Sequence, residues 1–188
     1  MNDIAEWEAI HKSRIWGTYP DIHVVRQVKK FLAQWREQMK HVPFRVSPTA
    51  LDIGCGAGAS AFMLDNEGVV VTAIDPSPTA VSNLCDLMTP DSRVSPAVCS
   101  IQDFTTREQF DLIIDNLSLT YVQEPPWNRI MSWLKPGGWL IHASFEEAPK
   151  GTPKAWHHLS PGHVVERHSS WVEGNAFSFV VRKYVKPS

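Results

Sequence analysis

Three glycines at alternate positions, in Leu51-Asp52-Ile53-Gly54-Cys55-Gly56-Ala57-Gly58, constrain this chain of 188 residues more than any other feature. Pro48 to Ile53 reads as a short buried strand, and Ala59 to Asn66 as the opening turns of a helix. A turn between them takes glycine because glycine tolerates positive φ and lets another group approach the backbone to contact distance. Entering a helix, the turn also aims free N–H groups and the positive end of the helix dipole into the gap above the strand. From Pro48 onward strand-like and helix-like patterns alternate, which implies a parallel sheet with helices on both faces. The patterns place strands near 49–53, 69–74, 94–98, 110–115 and 138–144. Helices fall near 59–66, 78–88 and 125–134, with a marginal short one near 105–109.

The second strand runs into Asp75, the place and spacing at which an acidic residue takes the two hydroxyls of an adenosine ribose. The glycine stretch, written Gly54-x-Gly56-x-x-Ala59, fits a nicotinamide or flavin fingerprint as well. Asp52 separates the two cofactor classes. A pyrophosphate approaching the loop meets its carboxylate and is repelled, whereas a ligand carrying an ammonium and a sulfonium is attracted. S-adenosylmethionine is such a ligand. Ligands in open α/β sheets bind beyond the carboxyl ends of the strands. The glycine loop, Asp75, Ser100 to Asp103 and Asp115-Asn116 all fall at such ends.

The glycine motif, the acid at Asp75, Phe110-Asp111-Leu112-Ile113-Ile114-Asp115-Asn116 and Leu134-Lys135-Pro136-Gly137-Gly138-Trp139-Leu140-Ile141 occur in one order. In that order they resemble the class I S-adenosylmethionine-dependent methyltransferases, in the branch with a generic methyltransferase domain. The resemblance covers residues 48 to 145 well and the rest loosely. It implies a Rossmann-like, doubly wound, mostly parallel seven-stranded sheet with a C-terminal antiparallel hairpin and an N-terminal helical lid. Residues 1–46 are then the lid and 47–188 the cofactor-binding core of a single domain. His163 to Trp171 and Phe177 to Tyr184 supply the hairpin, turning at Glu173-Gly174-Asn175. The prolines and glycine between Ser144 and Gly162 leave an irregular loop beside the site.

The same resemblance implies a cofactor site of Asp52, Gly54, Cys55, Gly56, Gly58, Asp75, Pro76, Ser100, Ile101, Gln102 and Asn116. Asp52 holds the methionine part and Asp75 the ribose. Many relatives bond the adenine amine through an acid, and here that position falls on Ser100. Either Ser100 replaces it, or Gln102 or Asp103 does, or Ser100 only caps the next turn. Asn116 and Tyr121 are the catalytic candidates after the fourth strand, and Trp16, Tyr19 and Tyr121 the candidate acceptor contacts. Tyr121 reads equally as packing under its loop, and Asp115 as a cap. The Asn-Pro-Pro-Tyr and Asp-Pro-Pro-Tyr sequences of base-amine methylation are missing there, which argues against DNA.

Residues 3 to 14 carry Ile4, Trp7 and Ile10 on one face of a short helix. Asp21 can cap a longer one to about Lys40, with Val24, Val28, Phe31, Leu32 and Trp35 at helical spacing. Its other face is basic (Arg26, Lys29, Lys30, Arg36, Lys40), which ordinary solvation explains. A net charge of −2 gives no global attraction to nucleic acid or anionic membrane. No stretch has the length of a membrane span, and Met1 to Ile10 has acids and no basic side chain, unlike a secretory signal. Three cysteines without metal-ligand spacing point to reduced thiols in the cytoplasm. His157, His158, His163 and His168 match no metal site, and His142 reads as a satisfied core or edge histidine.

These features point to transfer of a methyl group from S-adenosylmethionine, leaving S-adenosylhomocysteine, to a small-molecule acceptor by in-line displacement. The protein is then a monomer or homodimer. The rivals are an RNA or protein methyltransferase and a non-enzymatic module that binds S-adenosylmethionine.

Overall fold

The computed structural model describes residues 4–13, 19–44, 46–145, 163–172 and 175–187. Two helices come first, α1 (Ile4–Ser13) and α2 (Ile22–Met39). The alternating core follows with β1 (Thr49–Ile53), α3 (Ala59–Asn66), β2 (Val70–Asp75), α4 (Pro78–Leu87), β3 (Val94–Val98) and β4 (Phe110–Asn116). It ends with α5 (Trp127–Ser132), β5 (Leu134–Phe145), β6 (His163–Val172) and β7 (Asn175–Val185). The strands form one sheet in the order β3-β2-β1-β4-β5-β7-β6. β1 to β5 run parallel, and β7 lies antiparallel between β5 and β6. This is the α/β, seven-stranded, mostly parallel sheet with a closing antiparallel hairpin that the motifs imply.

The chain leaves β1 for β2 and β3 on one side and returns to β4 on the other. Strand order therefore reverses between β1 and β4, which opens a crevice at their carboxyl ends. β1 and β4 are continuous apolar runs because both sheet faces are covered. Leu112, Ile113 and Ile114 are fully buried, facing alternate sides.

α2 supplies part of one cover. Asp21 caps it, accepting from the backbone N–H groups of His23 and Val24. Val24, Val28, Phe31 and Leu32 are buried in the same cluster as Ala50, Leu112, Ile114 and Ile141. The Phe31 ring meets Trp139 edge-on at 5.7 Å. On its basic face, Lys29 and Arg36 pair with Glu67 at the end of α3.

No helix forms at 105–109. Five residues headed by two β-branched threonines are too few to nucleate one, and the Glu108 N–H donates to Thr106 Oγ1 in a local turn instead. β5 starts earlier than turn chemistry suggests, because Leu134 pairs with Phe110 before a bulge and pairing resumes at Trp139 with Leu112. α5 is shorter than 125–134, since Pro125-Pro126 precedes its first turn. Trp16, nearly all of the irregular loop before Gly162, and Glu173-Gly174 lie outside the described residues.

Candidate active site

The turn after β1 takes positive φ at Gly54 (+66°), Gly56 (+54°) and Gly58 (+92°). Two of these glycines answer to packing. A Cβ on Gly54 would lie 2.0 Å from Ser118 Oγ in the loop after β4, and one on Gly58 2.9 Å from Leu84 and Phe62. The loops after β1 and β4 therefore close on each other, and Ser118 Oγ donates to the Gly54 carbonyl at 3.1 Å. Gly58 caps α3 behind the cleft wall, and its nearest contacts are those two core side chains. Gly56 faces the cleft and donates its N–H to Asp75 Oδ2 at 2.9 Å.

Asp75 ends β2, with its other oxygen accepting from the Ser77 N–H at 2.8 Å. Each oxygen keeps a lone-pair direction free, which suits a pair of vicinal hydroxyls. Burial raises its proton affinity, and the nearby His11 works in the opposite direction. Asp52 is 1% exposed and its Oδ2 has no hydrogen-bond partner. Burial, then the charges of Asp115 and Asp75, push its carboxyl up to about 8. Asn116 Oδ1 is likewise buried and unpartnered. Two orphaned acceptors in one cleft are costly in the free protein. A ligand bearing an ammonium relieves that cost, so these residues fit the methionine end of S-adenosylmethionine.

At the far end of the cleft, Ser100, Ile101 and Gln102 line the wall with Cys99. The Ser100 hydroxyl accepts from the Asp103 N–H and donates to Asp103 Oδ2 at 2.6 Å, so it caps the turn while facing the cleft. Asp103 itself is turned to Ser100. Arg129 on α5 donates to the carbonyls of Ile101 and Gln102, both at 2.7 Å, and holds this edge in place.

The loop after β4 is a single 3₁₀ turn, Ser118–Tyr121, entered through Leu117 at φ +73°. Asp115 lies beneath it. Its Oδ1 accepts from the Leu119 N–H at 2.9 Å and its Oδ2 meets His142 Nδ1 at 2.5 Å, in a pair almost wholly buried. Trp127 covers His142, with ring centroids 5.2 Å apart. Asp115, His142 and Trp127 thus support the loop that carries Asn116 and Tyr121 to the cleft.

α1 roofs the cleft. Trp7 meets the Tyr121 ring edge-on at 5.0 Å, and Phe145 meets Tyr121 from another side at 6.3 Å. Glu8 accepts from the Ser77 and Thr79 hydroxyls, each at 2.5 Å, and from the Thr79 N–H. These hydrogen bonds, those from Ser77 foremost, hold the Glu8 carboxyl at about 2. α1 is thereby latched to the start of α4, two residues past Asp75. His11 lines the cleft one turn beyond Trp7. Tyr19 stands on the rim, 88% exposed, and Asp21 lines the wall beside its capping role.

Trp7, Glu8, His11 and Arg129 are site residues that the motifs did not disclose. The one available signal was the spacing of Trp7 and His11 by one helical turn. The cleft encloses about 1060 Å³. That exceeds the roughly 300–1,000 Å³ of a pocket for one drug-sized ligand, so it has room for a nucleoside cofactor and a small second molecule. Among the described residues no three His, Cys, Asp or Glu gather as metal ligands, and no described helix is long and apolar enough to cross a membrane.

The parallel sheet with its glycine turn, the carboxylate of Asp75 and the crevice at the strand switch defines a Rossmann-like fold. Residues 50–138 match the family described as a methyltransferase domain, and this match with the relatives below supports a class I S-adenosylmethionine-dependent methyltransferase. Nodulation protein S of Rhizobium tropici is 30% identical over 121 residues, which are 62% of this chain and 50% of that protein. Phosphoethanolamine N-methyltransferase 1 of Triticum aestivum is 30% identical over 129 residues, 63% of this chain and 24% of that one. The chain thus spans half or less of the length of these curated relatives. The N-methyltransferase NodS of Bradyrhizobium japonicum WM9, solved with S-adenosylhomocysteine, shares the fold at a TM-score of 0.64 and 23% identity, over 85% of this chain and 87% of that one. A protein solved for conversion of a disulfide into a thioacetal in echinomycin biosynthesis shares it at 0.71 and 18%, over 98% and 93%. The cofactor of the family, S-adenosylmethionine, agrees with the donor set of the cleft.

Proposed function

We propose that the chain methylates a small-molecule amine. The observation that carries the reading is the pair of buried, unpartnered acceptors, Asp52 Oδ2 and Asn116 Oδ1, beside a ribose acid in a cleft larger than one ligand needs. When bound, S-adenosylmethionine supplies an electrophilic methyl group on a sulfonium. The protein's part is then mainly to hold acceptor and methyl in contact and in line, with water excluded. Asp52 and Asn116 anchor the amino-acid end, Asp75 and the Gly56 loop the ribose, and Ser100 to Gln102 the base. Trp7 and Tyr121 wall the space that remains, and aromatic faces suit a cationic amine.

The charges on the wall narrow the acceptor further. Asp21 lines the cleft beside Asp52 and Asp75, which the cofactor's ammonium and ribose take, and no lysine or arginine does so among the described residues. That favours an amine without a phosphate group, in contrast to the substrate named for the wheat relative. An RNA or protein acceptor has less support, because Glu67 pairs with Lys29 and Arg36 on the basic face of α2. The test is calorimetry with S-adenosylhomocysteine and NAD, followed by transfer of labelled methyl to amines with and without phosphate. Tight NAD binding with no response to S-adenosylhomocysteine sinks the reading.

A further inference from the structure

We propose that His11 takes the acceptor's proton, which makes α1 a catalytic element as well as a cover; the proposal rests on the amine reading above. His11 is 6% exposed, lines the cleft, and has its Nδ1 buried without a partner. Such a nitrogen is relieved only when a ligand reaches it. Trp7 lies 6.4 Å from His11 and 5.0 Å from Tyr121, ring centroid to ring centroid, and all three line the cleft between α1 and the loop after β4. His11 is also close enough to Asp75 for its charge to act there. His11, Trp7 and Tyr121 line the same cleft, so the acceptor space walled by the two aromatic rings also borders His11.

The charge of the cleft creates the need for a base. With Asp21 on the wall and no lysine or arginine there among the described residues, an amine enters as its ammonium, and an ammonium has no lone pair with which to attack. The other titratable groups of the wall are committed or unsuited. Asp21 caps α2, and Asp75 holds Gly56 and Ser77. Burial pushes the thiols of Cys55 and Cys99 and the phenol of Tyr121 up, so all three stay neutral, and Tyr19 stands exposed on the rim. Asp52 serves the amino-acid end. Imidazole is the side chain with both protonation states accessible near neutral pH. In the step, a proton moves from the ammonium nitrogen to His11 Nδ1 and leaves a lone pair. That pair forms the bond to the methyl carbon while the carbon–sulfur pair stays on sulfur. The product leaves as a methylammonium, and the imidazolium returns its proton to water.

The experiment compares wild type with His11→Gln and His11→Asn, using ethanolamine, glucosamine and benzylamine as acceptor probes. Thermal melts with S-adenosylhomocysteine establish that each variant folds. We expect both to keep cofactor-product affinity within about twofold while kcat falls by about 10²–10⁴-fold. In wild type labelled with ¹⁵N-histidine and saturated with S-adenosylhomocysteine, one imidazole signal absent from both variants moves when the amine is added. Wild-type kcat in either variant, loss of cofactor-product affinity in both, or an unmoved signal overturns the proposal. If wild type binds S-adenosylhomocysteine but methylates none of the three amines, the amine reading and the base fall together. If wild type does not bind it at all, the cofactor assignment fails instead.

Discussion

α1 and α2 come from the same stretch of chain and carry the same kind of signal, an apolar stripe at helical spacing. They end in different settings. α2 buries Val24, Val28, Phe31 and Leu32 against the sheet and belongs to the core. α1 buries only His11, and it is held by the Glu8 hydrogen bonds and one aromatic edge contact. A helix fixed by apolar area is structure, whereas one fixed by a few polar contacts at a cleft can move without unfolding the rest. The cap expected over residues 1–46 therefore divides, and we propose the lid role for α1 alone.

The largest test of that division is a pair of truncations. Leu32→Ala should cost about 2–5 kcal/mol of stability, as a large-to-small change in a packed core. Ile4→Ala, at a half-exposed position of α1, should stay within about 0.5 kcal/mol. Denaturant melts decide, and equal costs would erase the distinction. Next in size, Asp75→Ala should weaken S-adenosylhomocysteine binding by roughly 2–4 kcal/mol, since a charged acceptor serving two hydroxyls is lost. Wild-type affinity in that variant would remove the ribose assignment.

The cleft and the α2 face should also answer pH in opposite senses. Asp52, raised to about 8, and Asp75, raised by burial, favour the folded state while protonated. The contribution of Asp52 is full below the ordinary carboxylate range and is lost as pH rises through about 8, and that of Asp75 falls in the same direction. Glu67, lowered first by Lys29, contributes above that range and loses its effect in acid. The ligand's ammonium beside Asp52 favours its charged form. Binding of S-adenosylhomocysteine at pH 7 should therefore expel a proton, seen as binding heats that differ between buffers of unlike ionisation enthalpy. A melting temperature of the free protein flat from pH 5 to 8, with no proton release, would count against this account.

Two smaller effects sharpen the picture of α1. A double-mutant cycle on Trp7 and Tyr121 should give a coupling of about 0.5–1.5 kcal/mol, as expected for an edge-on aromatic pair. Zero coupling would mean that the ring contact does not hold α1 in solution. Glu8→Gln should quicken amide hydrogen exchange in α1 and leave α2 unchanged, and parallel changes in both helices would show them to be one unit.

The fold was legible because its signals are local. Alternating apolar runs, the glycine turn and the Lys135-Pro136-Gly137-Gly138 punctuation each report on neighbours in sequence. The cofactor wall was legible for the same reason, as Asp52, Gly56, Asp75, Ser100 and Asn116 all sit at strand ends. The roof was not. The stripe on α1 shows that an apolar partner exists without showing which one. Glu8 finds Ser77 and Thr79 some seventy positions away, and Arg129 reaches Ile101 and Gln102 across the sheet edge. Gly54 was legible as a glycine requirement but not for its cause, since the group that excludes its Cβ is Ser118, on another loop.

That contact between Gly54 and Ser118 has a bearing on how such a protein can diversify. With the loops after β1 and β4 stitched together, drift at either position disturbs both, and this part of the molecule is slow to vary. Among the described residues α1 meets these loops through the Trp7–Tyr121 ring contact, and Glu8 ties it separately to the start of α4. New acceptor preferences are therefore most easily acquired by rewriting the positions of α1 around His11, over an unchanged frame of loops. A library for altered selectivity should keep 54, 118 and His11 fixed and place its diversity at Ile4 and Trp7.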